Sequence, residues 1–333
     1  MKVTTKLIAA AMALTALGNR VSAQDPRFSQ YFASPMTLNP ALTGSIEGPF
    51  RIAANFRQQW WAVGDPFNTA SLSFEQRLLE NRLGDNDRLG IGGLMMIDNS
   101  MSGGLRSTYM GVSAAFHKGL NERHRIGVGF QTVYGNRIVD YNKLSFYNQF
   151  DVDGFNTSLP SGEMALATMQ PTVDFNAGLL YHYEDEKTRF YAGYSMYHIT
   201  RPKQTVMEDA NSRIPFRYTA NAGATILSGE NMRYTFHAIW QRQAKASDIS
   251  AGGAVGLDLD EKNTFYLGAW YRVKDSFYPY FSYVRNGMQF GLTFDLLTSS
   301  LRQASPRNGS VELSFVFNKP STQLLRRALP WNY

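Results

Sequence analysis

The sequence predicts an all-β fold, a transmembrane antiparallel outer-membrane β-barrel of about 14 strands. Three observations support this prediction: repeated alternation of apolar and polar residues, an apolar leader, and connections whose lengths differ between the two ends of the barrel. Alternation puts successive side chains on opposite faces of a strand, so one face meets an apolar medium and the other a polar one. In an exported chain without a long apolar helix, many such strands indicate a closed barrel.

The chain begins with a segment typical of a secretory signal peptide. Lys2 and Lys6 precede an apolar run over residues 7–17, and Ala23 ends a small-residue cleavage site. We expect residues 1–23 to be removed, because this run is shorter than the ~18 residues that a membrane helix needs. Cysteine is absent, which excludes a lipoprotein anchor, disulfides and thiolate metal sites.

The remaining chain divides into three predicted parts. Residues 24–49 carry Pro, Asn and Gly without steady alternation, and we expect a periplasmic or lumenal N-terminal segment. The barrel is predicted over residues 50–317, and residues 318–333 are expected to form a periplasmic C-terminal tail. The fourteen strands are expected at residues 50–60, 69–76, 88–97, 107–117, 124–134, 172–183, 188–196, 216–227, 232–242, 247–257, 264–273, 277–285, 288–295 and 309–317.

The last predicted strand shows the alternation most clearly. Leu313 and Phe315 fall on the face that we assign to lipid, and Glu312 and Ser314 fall on the face that we assign to the lumen. The same period of two recurs in each of the other strands. A helical period would not separate apolar from polar residues in this way.

The connections indicate which end faces the cell exterior. Outer-membrane barrels have short periplasmic turns and longer external loops. The connections after strands 4, 6, 8, 10 and 12 are short, whereas the other set includes the long segments 135–171, 197–215 and 296–308. Only the segment 77–87 is longer than expected for a periplasmic turn. We therefore assign both ends of the barrel sequence to the periplasmic side.

The ionisable residues indicate structural roles. The five histidines lack the spacing of metal ligands, although His182 or His237 could serve a hydrolytic barrel; they are His117, His124, His182, His198 and His237. Arg57, Arg125 and Arg272 fall on the lumenal face, where they would either brace the barrel through ion pairs or line an anion-favouring pore. We expect no catalytic site, metal or cofactor.

Net charge and tryptophan positions indicate which partners to expect. The formal net charge is +6, and no basic run indicates a nucleic-acid partner. Four tryptophans lie in or at the ends of predicted strands: Trp60, Trp61, Trp240 and Trp270. We expect these tryptophans to anchor the barrel at the level of the outer-membrane lipid headgroups.

Motifs along the chain resemble the PorP/SprF family of type IX secretion. The opening Gln24-Asp25-Pro26-Arg27-Phe28-Ser29-Gln30-Tyr31, followed by Asn39-Pro40-Ala41, resembles the start of that family. Phe56-Arg57-Gln58-Gln59-Trp60 resembles its aromatic-Arg-x-Gln-Trp segment, and residues 190–198, 266–272, 294–299 and 309–314 also fit. The resemblance assigns structural or partner-facing roles to Asp25, Pro26, Phe28, Ser29, Gln30, Tyr31, Asn39, Pro40, Arg57, Gln59 and Trp60.

The resemblance implies an accessory component of type IX secretion in the cell outer membrane, without enzymatic activity. Such a component would bind the C-terminal domain of a cargo protein for secretion or surface display of adhesin-like proteins, a process linked to gliding motility. The periplasmic ring and motor of the apparatus would be a second partner. The alternative is a passive outer-membrane channel or hydrophobic-solute transporter, because fourteen-stranded barrels also serve that role.

Overall fold

The computed structural model describes residues 25–320 except for residues 47, 62–64, 81, 85, 101–103, 141–142, 152–153, 157, 161–169, 204–212, 261 and 300–308. Fourteen antiparallel strands close into a barrel in which the first and last strands pair. The predicted fold class and strand number are therefore confirmed. The predicted signal peptide and most of the predicted tail lie outside the described residues.

The barrel strands follow the chain in order, and each pairs with its sequence neighbours. They are β1 (Phe50–Gln59), β2 (Phe67–Leu78), β3 (Arg88–Ser100), β4 (Leu105–Gly119), β5 (His124–Val139), β8 (Thr172–Glu184), β9 (Thr188–Tyr197), β10 (Arg217–Ser228), β11 (Met232–Gln243), β12 (Ala246–Asp258), β13 (Asn263–Arg272), β14 (Ser276–Arg285), β15 (Met288–Leu297) and β16 (Ser310–Asn318). Two short strands, β6 (Phe150–Asp151) and β7 (Gly154–Phe155), form a hairpin within the connection between β5 and β8.

The strand β5 is longer than predicted. Residues 135–139 pair with residues 105–109 of β4, so both strands extend beyond the expected positions. Alternation continues in this part, since Tyr134 and Ile138 remain exposed on the outer face. The connection predicted at residues 135–171 therefore begins five residues later, at residue 140.

The two faces of the barrel differ as the alternation predicts. Outward side chains are apolar and exposed, as Val112, Phe130 and Leu313 illustrate. Inward side chains are mostly polar and buried, as Glu312, Ser314 and Thr293 illustrate. This arrangement puts hydrocarbon against lipid and leaves hydrogen-bonding groups for the interior.

The N-terminal segment lies inside the barrel. It contains a 3-10 turn at Tyr31–Ala33, a single α-helical turn at Pro35–Leu38 and a second 3-10 turn at Pro40–Leu42. No helix among the described residues is long and apolar enough to cross a membrane. The hydrophobic core of the protein forms where this segment packs against inward aromatic side chains of the barrel wall.

Trp270 corrects one prediction from the sequence. Its side chain is 1 % exposed and faces the lumen, where it packs against Phe32, so it does not anchor the barrel at the lipid headgroups. The reason is the alternation of side chains along β13, since residues two positions apart point to the same face. Trp270 lies two residues from the inward Arg272 and therefore points inward too. Trp61, by contrast, is exposed at the outer end of the barrel.

Val112 offers a test of the lipid-facing surface, since it lies at the centre of β4 and is 67 % exposed. We expect Val112→Arg to lower the free energy of unfolding in lipid vesicles by about 2–4 kcal/mol, the cost of an arginine at the bilayer midplane. Denaturant titration of the refolded barrel measures this change. The control Leu259→Arg alters an exposed leucine outside the strands and should change stability little. Equal effects of both substitutions would contradict the assigned face.

Candidate functional site

The lumen is filled by residues Asp25–Ile46, which we call the plug. From Phe28 to Ile46 every side chain is buried except Thr37, which is half-buried. Asp25 contacts residues at the end of the barrel that the loop lengths assign to the exterior, and Ser45 contacts the periplasmic end. The plug therefore runs the length of the lumen before the chain enters β1.

A cluster of ionic contacts fixes the plug near the junction of β1 and β16. The backbone N–H groups of Ser29 and Gln30 donate to the two carboxylate oxygens of Glu312 at 2.6 and 2.9 Å. The Ser29 hydroxyl donates to Asp295 at 2.9 Å. Two arginines complete the cluster, with Arg57 2.9 Å and Arg272 3.3 Å from the Asp295 carboxylate. We call these four wall residues and their plug partners the seam cluster.

The seam cluster explains how charged groups are accommodated in the interior. Asp295 and Glu312 are almost fully buried, and a buried carboxylate is costly unless it is paired and hydrogen-bonded. Here each carboxylate meets a guanidinium and at least one donor from the plug. Arg57 and Arg272 therefore brace the barrel, which is the first of the two roles that the sequence left open.

Aromatic packing fixes the middle of the plug. The ring of Phe32 lies 4.8 Å from that of Trp270 and 5.2 Å from that of His237, and it meets Tyr280 edge-on at 5.4 Å. Tyr278 stacks on Trp270 and hydrogen bonds to Ser250. Such ring pairs add about 0.5–1.5 kcal/mol each beyond the area they bury.

Asn39 connects the plug to the opposite wall of the barrel. Its side-chain oxygen accepts from the Ala41 backbone N–H at 2.9 Å, which caps the second 3-10 turn. Its amide group donates to the Leu179 carbonyl at 3.1 Å and to Asn221 at 3.3 Å. Pro40 suits this position because a proline at the start of a helical turn has no N–H to satisfy.

The periplasmic end of the plug is held by polar contacts with three strands. The Gly44 backbone N–H donates to Glu75 at 2.7 Å, and the Ser45 hydroxyl pairs with the His182 ring at 2.8 Å. The Thr43 carbonyl lies 3.1 Å from Nε2 of His117. His117 and His182, together with His237 near Phe32, thus pack against the plug.

The exterior end of the plug is held by an ionic latch around Asp25. The Asp25 carboxylate lies 2.8 Å from His198 and 2.9 Å from Arg217, and it accepts a hydrogen bond from Gln243. The other ring nitrogen of His198 lies 2.6 Å from Asp174. Burial would lower the pKa of His198, but the two carboxylates outweigh it and raise this pKa to about 9. For Asp25, His198 and Arg217 outweigh the effect of burial and hold the carboxyl pKa below its usual value.

The structure brings most of the motif residues together, although their proposed roles stay predictions. Phe28, Ser29, Gln30, Tyr31, Asn39 and Pro40 are buried in the plug, while Asp25 and Pro26 are half-buried at its exterior end. Arg57 joins them from β1 through Asp295 and the Arg27 carbonyl. Gln59 and Trp60 are half-buried at the end of β1, away from the plug, and Trp60 packs edge-on against Phe67 at 5.0 Å.

Alternation placed Glu312 on the lumenal face, but sequence reasoning did not identify Asp295 and Glu312 as the two carboxylates that receive the plug. Both residues lie inside the segments that resembled the family, and both fall on the inward face by alternation. The available signal was the pair of inward arginines, Arg57 and Arg272, because buried arginines require acidic partners on the same face. Residue spacing alone could not show which acids those partners are.

These features define a class of protein, an outer-membrane β-barrel whose lumen holds its own N-terminal segment. Two structures of similar fold are the CymD monoaromatic hydrocarbon channel and a TodX deltaS2S3 mutant monoaromatic hydrocarbon channel. CymD is 12 % identical, with a TM-score of 0.50 over 87 % of this chain and 93 % of that chain. The TodX mutant is 11 % identical, with a TM-score of 0.50 over 84 % of this chain and 91 % of that chain. At this identity the likeness shows the fold alone.

The sequence shows which family the chain belongs to. The sequence pattern of the family described as "type IX secretion system membrane protein PorP/SprF" matches residues 20–317, so this chain belongs to the PorP/SprF family. No curated protein matches the chain. Family and fold together place the protein in the outer membrane and in type IX secretion. The family description names a membrane protein of secretion rather than a known class of enzyme.

Gly129 tests the fit between plug and wall. A Cβ atom at this position would lie 2.4 Å from the Ala41 backbone nitrogen, so Gly129→Ala must displace the plug. We expect a loss of about 1–3 kcal/mol in the free energy of unfolding, typical of overpacking. Gly93→Ala is the matched control, because its new methyl would meet only the Gly111 carbonyl oxygen at 3.9 Å. Denaturant unfolding of both variants measures the difference, and equal stabilities would argue against close packing of the plug.

The latch at Asp25 predicts a pH dependence of stability. The pKa of His198 is raised from 6.5 to about 9, so its contribution is fully present below pH 6.5 and is lost as the pH rises through about 9. We expect the melting temperature of the purified barrel to fall over this interval. His198→Asn should start lower and fall less steeply. Parallel pH profiles for the two proteins would show that the latch does not depend on a charged His198.

Proposed function

We propose that this protein is an accessory component of type IX secretion that binds the C-terminal domain of a cargo and promotes its secretion or surface display. Adhesin-like cargo, including proteins used in gliding motility, is the class that we infer. In this role the protein acts by binding, without enzymatic activity. The observation that carries the proposal is the plug, since a barrel filled by its own chain offers its two ends, rather than its lumen, to other molecules.

The contacts of the plug favour binding over passive transport. Hydrogen bonds join the plug to β1, β5, β8, β10 and β16, on different sides of the barrel. Many of these bonds involve charged or buried groups, which are expensive to leave without partners. A solute passing through the lumen would have to displace them. The passive-channel alternative therefore requires a second arrangement of the plug.

The exterior hairpin β6–β7 is the surface that we propose for cargo. The rings of Phe150 and Phe155 pair at 5.2 Å, and both are exposed, together with Tyr147, which is 91 % exposed. Aromatic side chains that pack little within their own chain are enriched where proteins bind partners. On the opposite side, the periplasmic turns are the surface that we propose for the ring and motor of the apparatus.

Native purification of the full-length barrel from its own outer membrane tests cargo binding. We expect a surface protein to co-purify through its C-terminal domain, and we expect the double variant Tyr147→Ala, Phe150→Ala to reduce its recovery at least tenfold. Leu259→Ala, an exposed leucine in a turn at the other end, is the control. Recovery of only lipid and lipopolysaccharide with the wild-type protein would contradict the proposal.

Planar-bilayer recordings distinguish the proposal from the channel alternative. The wild-type barrel should show no steady conductance, whereas deletion of residues 25–46 should open a lumen lined by polar side chains. Stable single-channel currents from the wild-type protein, together with normal cargo display in a deletion strain, would favour the channel.

A further inference from the structure

We infer that the periplasmic mouth of the lumen contains a binding site for an oxyanion, a phosphate or a carboxylate group. Arg77 and Arg88 would be its ligands, with Arg125 close by. This site goes beyond the proposed function, since it lies at the end of the barrel opposite the cargo surface. The inference rests on the excess of arginines over carboxylates, and on the positions of these arginines, around the periplasmic end of the plug.

The three arginines project into the same end of the lumen. Arg77 is near the end of β2, Arg88 begins β3 and Arg125 is the second residue of β5. Because side chains alternate along a strand, Arg77 lies on the same face as the buried Glu75, and Arg88 lies on the same face as Gly90. Gly90 in turn lies against Gly44 of the plug. Nε of Arg77 reaches the Gly44 carbonyl at 3.4 Å. The plug therefore forms the floor of this site.

Nearby carboxylates do not balance these guanidinium groups. Glu184 is shared, lying 2.8 Å from Arg125 and 3.0 Å from Arg189. Glu75 is occupied by Arg51 at 2.6 Å and by the backbone of the plug. Glu80 lies 3.5 Å from Arg77 and is half exposed, and Asp87 is paired with Lys118 at 2.8 Å.

Arg77 and Arg88 consequently keep unused hydrogen-bonding capacity. Nη2 of Arg77 is buried and has no hydrogen-bond partner, and Arg88 forms no ion pair with any carboxylate of the described residues. Arg88 is half-buried at the opening, so it is accessible from the periplasm. A partly desolvated guanidinium with unused N–H donors is costly, and binding an anion would offset that cost.

The chemistry of the site selects an oxyanion. The fork of a guanidinium group matches the two oxygens of a carboxylate or phosphate, and two adjacent forks can hold one such group between them. The connection between β8 and β9, next to Arg125, carries Asp185 and the exposed Glu186, which would repel an extended polyanion. We therefore expect a single oxyanion, supplied either as free phosphate or as one carboxylate of a periplasmic peptide.

Thermal unfolding of the full-length barrel in detergent, at constant ionic strength, tests the site with inorganic phosphate as the probe. We expect a saturable rise in melting temperature for the wild type, and at least a tenfold weaker apparent affinity for Arg88→Gln. Arg285→Gln removes an exposed arginine from a strand at the same end and should behave as the wild type. If Arg88→Gln does not fold, Arg77→Gln replaces it.

A second series identifies the source of the anion. A short acetylated peptide with a free C-terminal carboxylate is compared with the same peptide amidated at its C-terminus. Stabilisation by the free-acid peptide but not by phosphate or the amidated peptide assigns the site to a peptide carboxylate. Stabilisation by phosphate but by neither peptide assigns it to phosphate. No shift with either probe, or equal shifts in the wild type and in Arg88→Gln, would overturn the inference. Neither result bears on cargo capture, so the two proposals fail separately.

Discussion

Two buried carboxylates, Asp295 and Glu312, determine how the rest of the protein is arranged. Charges in a protein interior require partners, and here those partners come from both the wall and the plug. Arg57 and Arg272 neutralise the carboxylates, while the backbone N–H groups of Ser29 and Gln30 donate to Glu312 and the Ser29 hydroxyl donates to Asp295. The plug therefore completes the barrel electrostatically as well as filling it. Its aromatic middle and its two polar ends are positioned from this cluster.

The barrel could be predicted from the sequence because strand geometry is strictly periodic. A period of two assigns each side chain to lipid or lumen without knowledge of its neighbours, and this assignment was correct along β16 and β11. Trp270 is an exception, because its residue type suggests the lipid headgroups whereas the alternation of the strand puts it on the lumenal face. It shares that face with Arg272, two residues further on.

The contacts of the plug could not be predicted in the same way. The segment has no regular period, and its partners lie far away in sequence, as with Ser29 and Asp295, which are 266 residues apart. The motif residues identified the family, yet their roles depend on which wall side chains they meet. The same holds for Arg77 and Arg88, because their proximity to each other and their unused N–H donors depend on how the strands pair.

The position of the seam cluster has a consequence for biogenesis. Arg57 on β1 and Glu312 on β16 are cross-strand partners at the junction where the first and last strands meet. The same Glu312 receives the backbone of the plug. Pairing of β1 with β16 and binding of the plug inside the barrel are thus thermodynamically linked. In an assembly intermediate that is still open at this junction, Glu312 would lack Arg57, and the plug could not contact both residues at once. Closure of the barrel and insertion of the plug therefore favour each other.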